Sequence, residues 1–191
     1  MFKEQIKPAL LIFLVLTAIT GVIYPLFITG AAQLLFPRQS NGSLIYQQGK
    51  VVGSSLIGQA FDDPKYLWGR ISAASPQYNA AASSGSNIGP ANPALIEAVS
   101  GRIKALKAAD PENTGLIPVD LVTASASGLD PHISLAAADY QVSRIARLRG
   151  LTPDTVKMII ARHTSGRLLG FIGEPVVNVL ETNLALDTYK K

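Results

Sequence analysis

PALLIFLVLTAITGVIYPLFITGAAQLLFP, residues 8–37, decides the architecture: thirty residues without a charge. As an α-helix the run would extend ~45 Å, against a hydrocarbon core of ~30 Å. One tilted or kinked transmembrane helix fits that length, and two do not. Pro25 is expected to bend it, because its missing N–H frees the carbonyl of Gly21, and Gly21 has no side chain to obstruct the bend. A secretory signal could offer Gly30-Ala31-Ala32 for cleavage, but signal cores run only ~7–15 apolar residues. The segment therefore reads as a retained anchor. Within it Thr17 and Gly21 form a small-xxx-small pair, with Ala18 beside it, that would let a second helix approach closely in lipid. Small residues are also common in such helices, so one pair leaves both readings open.

The flanks orient the span. Lys3, Lys7 and the α-amine, offset by Glu4, precede it; Arg38 alone follows closely, and the next charge is Lys50. Positive-inside reasoning puts residues 1–7 in the cytoplasm, 8–37 in the membrane and 38–191 outside. The outer part holds 15 basic and 12 acidic residues, too even a balance to point at a charged partner. Across all 191 residues, apolar types make 48% and charged types 16%, below the ~25% usual in soluble domains. The net charge of +4 comes without Lys/Arg clusters, which argues against nucleic acid. Absence of cysteine excludes disulfides, Cys-based zinc sites and thiol catalysis. Two histidines, His132 and His163, leave little for a metal site.

Residues 38–191 suffice for one α+β domain with a small sheet and three or four helices. Val51–Gln59 reads as a strand with a glycine-permitted irregularity, and Tyr66–Arg70 as a short extended piece. Residues 72–93, SAASPQYNAAASSGSNIGPANP, are uncharged and dense in Ser, Ala, Asn, Gly and Pro. Tyr78, Ile88 and the spaced Asn79, Asn87 and Asn92 mark an ordered loop rather than a flexible linker. Asn92-Pro93 then caps a helix over 93–109, with Leu95, Ile96, Val99, Ile103 and Leu106 on one face. Pro118–Ala124 reads as a strand. Ser134 caps a helix with Leu135, Ala138, Val142, Ile145 and Leu148 inward, stopped by Gly150. Thr152-Pro153 starts another, with Val156, Ile159 and Ile160 inward. The tail, Leu168–Leu180, reads as strand–turn–strand around Gly173-Glu174-Pro175.

Chemistry is sparse. The chain has no P-loop, HExxH, GxSxG or SxxK motif. Gly166, Gly170 and Gly173 are better explained by backbone turns than by a phosphate cradle. Ser127, Asp130, His132 and Ser134 stand too close in sequence to converge as a triad, whose members come from separate segments. No residue is assigned a catalytic or metal-binding role. The polar groups Asn79, Ser86, Asn87, Asn92, Asp130 and His132 are instead expected on two loops, 78–92 and 125–134, emerging at one edge of the sheet. They would serve either docking or mutual bracing.

Four segments together carry a resemblance: SSLIGQAFDDPKYLWGR (54–70), YNAAASSGSNIGPANPAL (78–95), PVDLVTASASGLDPHIS (118–134) and GEPVVNVLETNLALD (173–187). In this order, behind a one-helix anchor, they resemble the C subunit of the Kdp potassium-transporting P-type ATPase. Leu67, Ile71 and Ser84 stand where that family's pattern prefers Phe, Pro and Gly. The resemblance implies a non-catalytic subunit of a high-affinity, ATP-driven potassium-uptake pump in the bacterial inner membrane. Its partners would be a channel-like pore subunit, an ATP-hydrolysing subunit and membrane lipid. ATP and potassium would be handled by the complex, with no cofactor in this chain. It also implies a catalytic chaperone that raises the ATP affinity of the catalytic subunit, for which Gln141 and the Ser84–Gly89 loop are the residues to consider. A domain placed outside the cell would not meet cytoplasmic ATP. The alternative reading is a stand-alone anchored sensor or ligand-binding module.

Overall fold

The structure is a computed structural model and describes residues 2–189. The α-amine of Met1 and the Lys3 side chain, which enter the charge argument, lie outside what is described. The chain divides into two units, Met1–Leu44 and Ile45–Lys191.

The first unit is helical: α1 (Phe2–Ala18), a π-turn (Ile19–Ile23), α2 (Tyr24–Leu35) and the short α3 (Pro37–Ser40). Glu4–Leu35 is long and apolar enough to cross a membrane, with a mean hydropathy of 2.5 in its most apolar window and no residue of that window buried. The expected disturbance at Pro25 takes the form of the π-turn: Tyr24 N–H reaches the Ile19 carbonyl, five residues back. The helix starts ahead of the uncharged run, so Pro8 sits inside α1, at the cost of one ladder bond.

A hairpin follows, β1 (Leu44–Gln47), whose first residue ends the first unit, and β2 (Lys50–Ser54). Gln48 and Gly49 both have positive φ, 50° and 76°, the two-residue turn whose twist suits paired strands. The strand expected over 51–59 ends early, at Ser54, where the chain turns back. A three-stranded antiparallel sheet follows in the order β3 (His132–Ser134), β5 (Val176–Asn178), β4 (Thr164–Ser165), with Ile133 opposite Val177 opposite Thr164. Four long helices accompany it: α4 (Pro93–Ala109), α5 (Leu135–Arg149), α6 (Pro153–Arg162) and α7 (Val179–Thr188).

Two sequence expectations are corrected. Pro118–Ala124 is not a strand but a single 3-10 turn, Val119–Leu121, with Ala124 alone bridging to Ile71. Leu121 and Val122 are both buried, which consecutive residues of a one-sided strand cannot be. In the tail only Val176–Asn178 is extended as expected, and from Val179 the chain is helical. Asn178 caps α7 by accepting the Glu181 N–H at 3.0 Å. Val179, Leu180, Asn183 and Leu186 are then buried at helical spacing.

α5 runs through the middle of the core. Its limits match the expectation, from the Ser134 cap to Gly150 in the left-handed conformation. Ala138, Val142 and Ile145 are buried as expected, but Leu135 and Leu148 at the ends are exposed, and the buried face also takes in Ala137, Gln141 and Arg144. α6 buries Val156, Ile159 and Ile160 as expected. α4 fully buries only Leu106 and leaves Ile96 exposed.

Candidate functional site

The two polar loops do meet, and backbone groups hold them together. The Ser84 N–H and the Ser83 hydroxyl both donate to the Ser127 carbonyl, at 3.0 and 2.9 Å. The Ser72 hydroxyl donates to the Gly128 carbonyl at 2.7 Å and accepts the Tyr78 N–H at 2.9 Å, so one buried serine ties both loops. The Tyr78 hydroxyl donates to the Arg70 carbonyl at 2.6 Å, and the Gly58 N–H to the Leu129 carbonyl at 2.9 Å. Burial pushes the Tyr78 phenol pKa up. Contact is close enough to exclude side chains: a Cβ on Gly128 would stand 2.6 Å from the Ser84 carbonyl oxygen.

Asp130 is the charged member of this clasp. One carboxylate oxygen pairs with Arg70 Nη1 at 3.2 Å, and the other accepts the His132 N–H at 2.9 Å. His132 Nδ1 lies 3.8 Å from the same oxygen. Arg70 also donates to the Ala124 carbonyl. Asn79 and Asn92 accept N–H groups that start the 3-10 turn Ala80–Ala82 and α4, so both are caps. Ser86 and Asn87 are different. Both are exposed, neither side chain has a partner among the described residues, and Asn87 holds a φ of 51°. Of the six residues expected on the two loops, four are therefore tied into the clasp or its caps and two face solvent. The open cleft beside the clasp, about 350 Å³, is lined by Gly58, Gln59, Gln77 and Tyr78 among others, and these side chains offer it only neutral hydrogen-bonding groups.

Gln141 lies deep in the second unit, 1% exposed. Its carbonyl oxygen accepts the Trp68 N–H at 2.8 Å and an Arg144 N–H at 2.6 Å. Its amide nitrogen donates to the Trp68 and Ala137 carbonyls, both at 3.1 Å. All of its hydrogen-bonding capacity is thus filled within the chain. Asn183 brackets Leu67 in the same way, accepting its N–H at 2.8 Å and donating to its carbonyl at 2.9 Å. Two guanidinium groups lie over the Trp68 ring, Arg144 4.4 Å and Arg102 4.9 Å from its centroid. Burial pulls the Arg144 pKa down to about 10 and lowers that of Arg102. Segment 66–70, expected as a short extended piece, forms no strand and is instead secured by side chains of α4, α5 and α7.

A family model described as the c chain of the K+-transporting ATPase, KdpC, matches residues 6–188. The chain belongs to the KdpC family. A protein of Methylococcus capsulatus named potassium-transporting ATPase KdpC subunit is 63% identical over 188 residues, 98% of this chain and 99% of its own length. One of Variovorax paradoxus with the same name is 63% identical, covering 97% and 96%. One of Dechloromonas aromatica is 60% identical, covering 99% and 100%. The mixed helix-and-sheet domain behind one apolar helix is thus the architecture of a KdpC-family chain, and that helix together with the family points to a membrane-anchored protein.

Within that helix Gly21 sits in the π-turn with open space around it, and Thr17 precedes it in α1, also exposed. The hydroxyl turned back onto the helix is that of Thr20, donating to the Leu16 carbonyl at 2.7 Å. Sequence reasoning missed Arg70, Ser72, Trp68 and Arg144. Their signal was weak: a lone serine, and two arginines in amphipathic surroundings that ordinarily read as solvated.

Proposed function

We propose that this chain is the non-catalytic, membrane-anchored subunit of an ATP-driven potassium-uptake pump, crossing the bacterial inner membrane once. Residues 1–7 face the cytoplasm and the domain after residue 37 stands outside. The observation that carries this reading is the joining, in one KdpC-family chain, of a 32-residue apolar helix to a domain internally braced by its own polar groups. The helix packs among the membrane helices of a channel-like pore subunit and an ATP-hydrolysing subunit, with Thr17 and Gly21 at the contact. The domain offers them a rigid polar surface, of which Ser86 and Asn87 are the exposed part. Its contribution is assembly and stability, while ion passage and hydrolysis belong to the partners.

Raised ATP affinity in the catalytic subunit follows from the same placement without any nucleotide touching this chain. A subunit that binds one conformation of its partner more tightly favours that conformation and whatever ligand shares the preference. Gln141 then acts by holding Trp68, not by meeting a base. Topology decides the matter. A reporter fused after Lys191 that is active only outside the cytoplasm should be active. Activity of a cytoplasmic reporter at the same point would overturn the orientation and return ATP contact to consideration.

A further inference from the structure

The segment between β4 and β5 ends in the most apolar exposed point of the second unit. Leu168, Leu169, Phe171 and Ile172 are 67, 77, 73 and 48% exposed. The tip is built, not frayed. Leu168 N–H donates to the Ile172 carbonyl at 2.9 Å, Ile172 N–H returns to the Leu168 carbonyl at 3.0 Å, and Leu169 and Gly170 turn the corner with φ of 54° and 84°. Just below it Arg167 and Glu174 pair at 2.8 Å across the neck. Four large apolar side chains held out together on a fixed turn exceed the scattered exposure that surfaces tolerate without function.

We propose that this tip inserts into the lipid surface of the membrane that anchors the chain. Three observations favour lipid over a pocket in another protein. First, the anchor keeps a bilayer always at hand. The nine residues 36–44 reach at most ~30 Å, and a 147-residue domain has a radius of gyration of only ~15 Å. Second, the depth is right. Six residues, 168–173, lie beyond the Arg167–Glu174 pair, three per arm, at most ~10 Å at 3.3 Å per residue, so the pair falls at headgroup level when the tip reaches the acyl boundary, ~5–10 Å deep. Third, the four side chains carry no hydrogen-bonding group, as suits insertion among acyl chains that offer none in return. The inference needs only that the chain is bilayer-anchored, not which pump it serves.

The test uses the full chain, alone, in phosphatidylcholine vesicles whose acyl chains carry bromine. Trp68 is the one native tryptophan and is buried, so its emission provides a constant background. In F171W the added emission should be blue-shifted and largely lost to bromine quenching. An E112W control, on a loop away from the tip, should remain solvent-like and unquenched. Adding Leu169→Asp to F171W should restore solvent-like emission, with an unchanged thermal melt showing that the domain stays folded. Solvent-like, unquenched emission from F171W overturns the proposal. So does emission shielded only when the other pump subunits are co-assembled, which would assign the tip to a protein partner. Equal quenching of E112W would also overturn it, since the contact would then not belong to the tip.

Discussion

Replacing Asp130 by Ala tests whether the clasp is a brace. An exposed ion pair would contribute under ~1 kcal/mol, but the Asp130 and Arg70 side chains are each only 28% exposed, and Arg70 Nε is buried without a partner. Removing the carboxylate leaves that cation less compensated and also deletes the acceptor of the His132 N–H at 2.9 Å. Hydrogen bonds to charged groups are worth ~1.5–3 kcal/mol, so a loss of ~2 kcal/mol is expected, or ~4–8 °C in melting temperature for a domain of this size. Asp130→Asn keeps the acceptor for His132 and loses the charge, so it should fall between parent and Ala. A double-mutant cycle with Arg70→Met should return a coupling of ~1 kcal/mol. The companion is Asn87→Gly, which removes an unpartnered side chain while glycine accepts the φ of 51° freely. It should leave the melt unchanged and, if Asn87 docks on a partner, reduce growth on micromolar potassium. Melting followed by near-UV circular dichroism on the full chain decides. An Asp130→Ala variant melting within a degree of the parent would refute the bracing argument.

Gln141→Leu should be the most damaging change in the core, because it leaves the Trp68 N–H and carbonyl and Arg144 without their partner; a loss of ~3–5 kcal/mol is expected. Any fall in pump activity should then track the amount of folded subunit, measured by melting and by complex yield, rather than appear as a separate loss of ATP affinity. In the membrane, a Cβ at Gly21 would meet open space, so Gly21→Leu projects away from the rest of the chain. If that face packs on a partner, co-purification with the other subunits should drop several-fold while the domain's melt is unchanged; an undiminished yield would turn the face to lipid.

The anchor, the caps at Asn92 and Ser134 and the stop at Gly150 were legible because each depends on local chemistry. Uncharged length, an oxygen before a helical run and a left-handed glycine all act over a few residues. The misread strands share one cause. In Pro118–Ala124 and after Asn178, β-branched residues suggested extension, but the partners that overrode it lie far off: Asp120 accepts the Ser134 N–H, and Asn183 on α7 brackets Leu67. The Asn178–Glu181 spacing did carry a capping signal for α7. The meeting of the two loops was anticipated, whereas its means were not. It relies on backbone carbonyls and on the small size of Gly128 and Gly58, which no polarity pattern reveals. Gln141 entered only through the nucleotide role that the resemblance implies, and an uncharged amide on a helix gives no hint that it faces a buried tryptophan instead.

The π-turn gives the anchor two phases. One extra residue in a turn advances everything after it by ~100° around the axis. Residues of α1 and of α2 that would line up along an uninterrupted helix therefore look in different directions in the two leaflets. Thr17 on one side of the shift and Gly30 on the other need not serve the same neighbour. A single span can so present one face to a helix near the cytoplasmic side and another face to a different helix near the outer side. That would let one thin strut, in the pump proposed above, meet two different membrane neighbours without touching either along its full length.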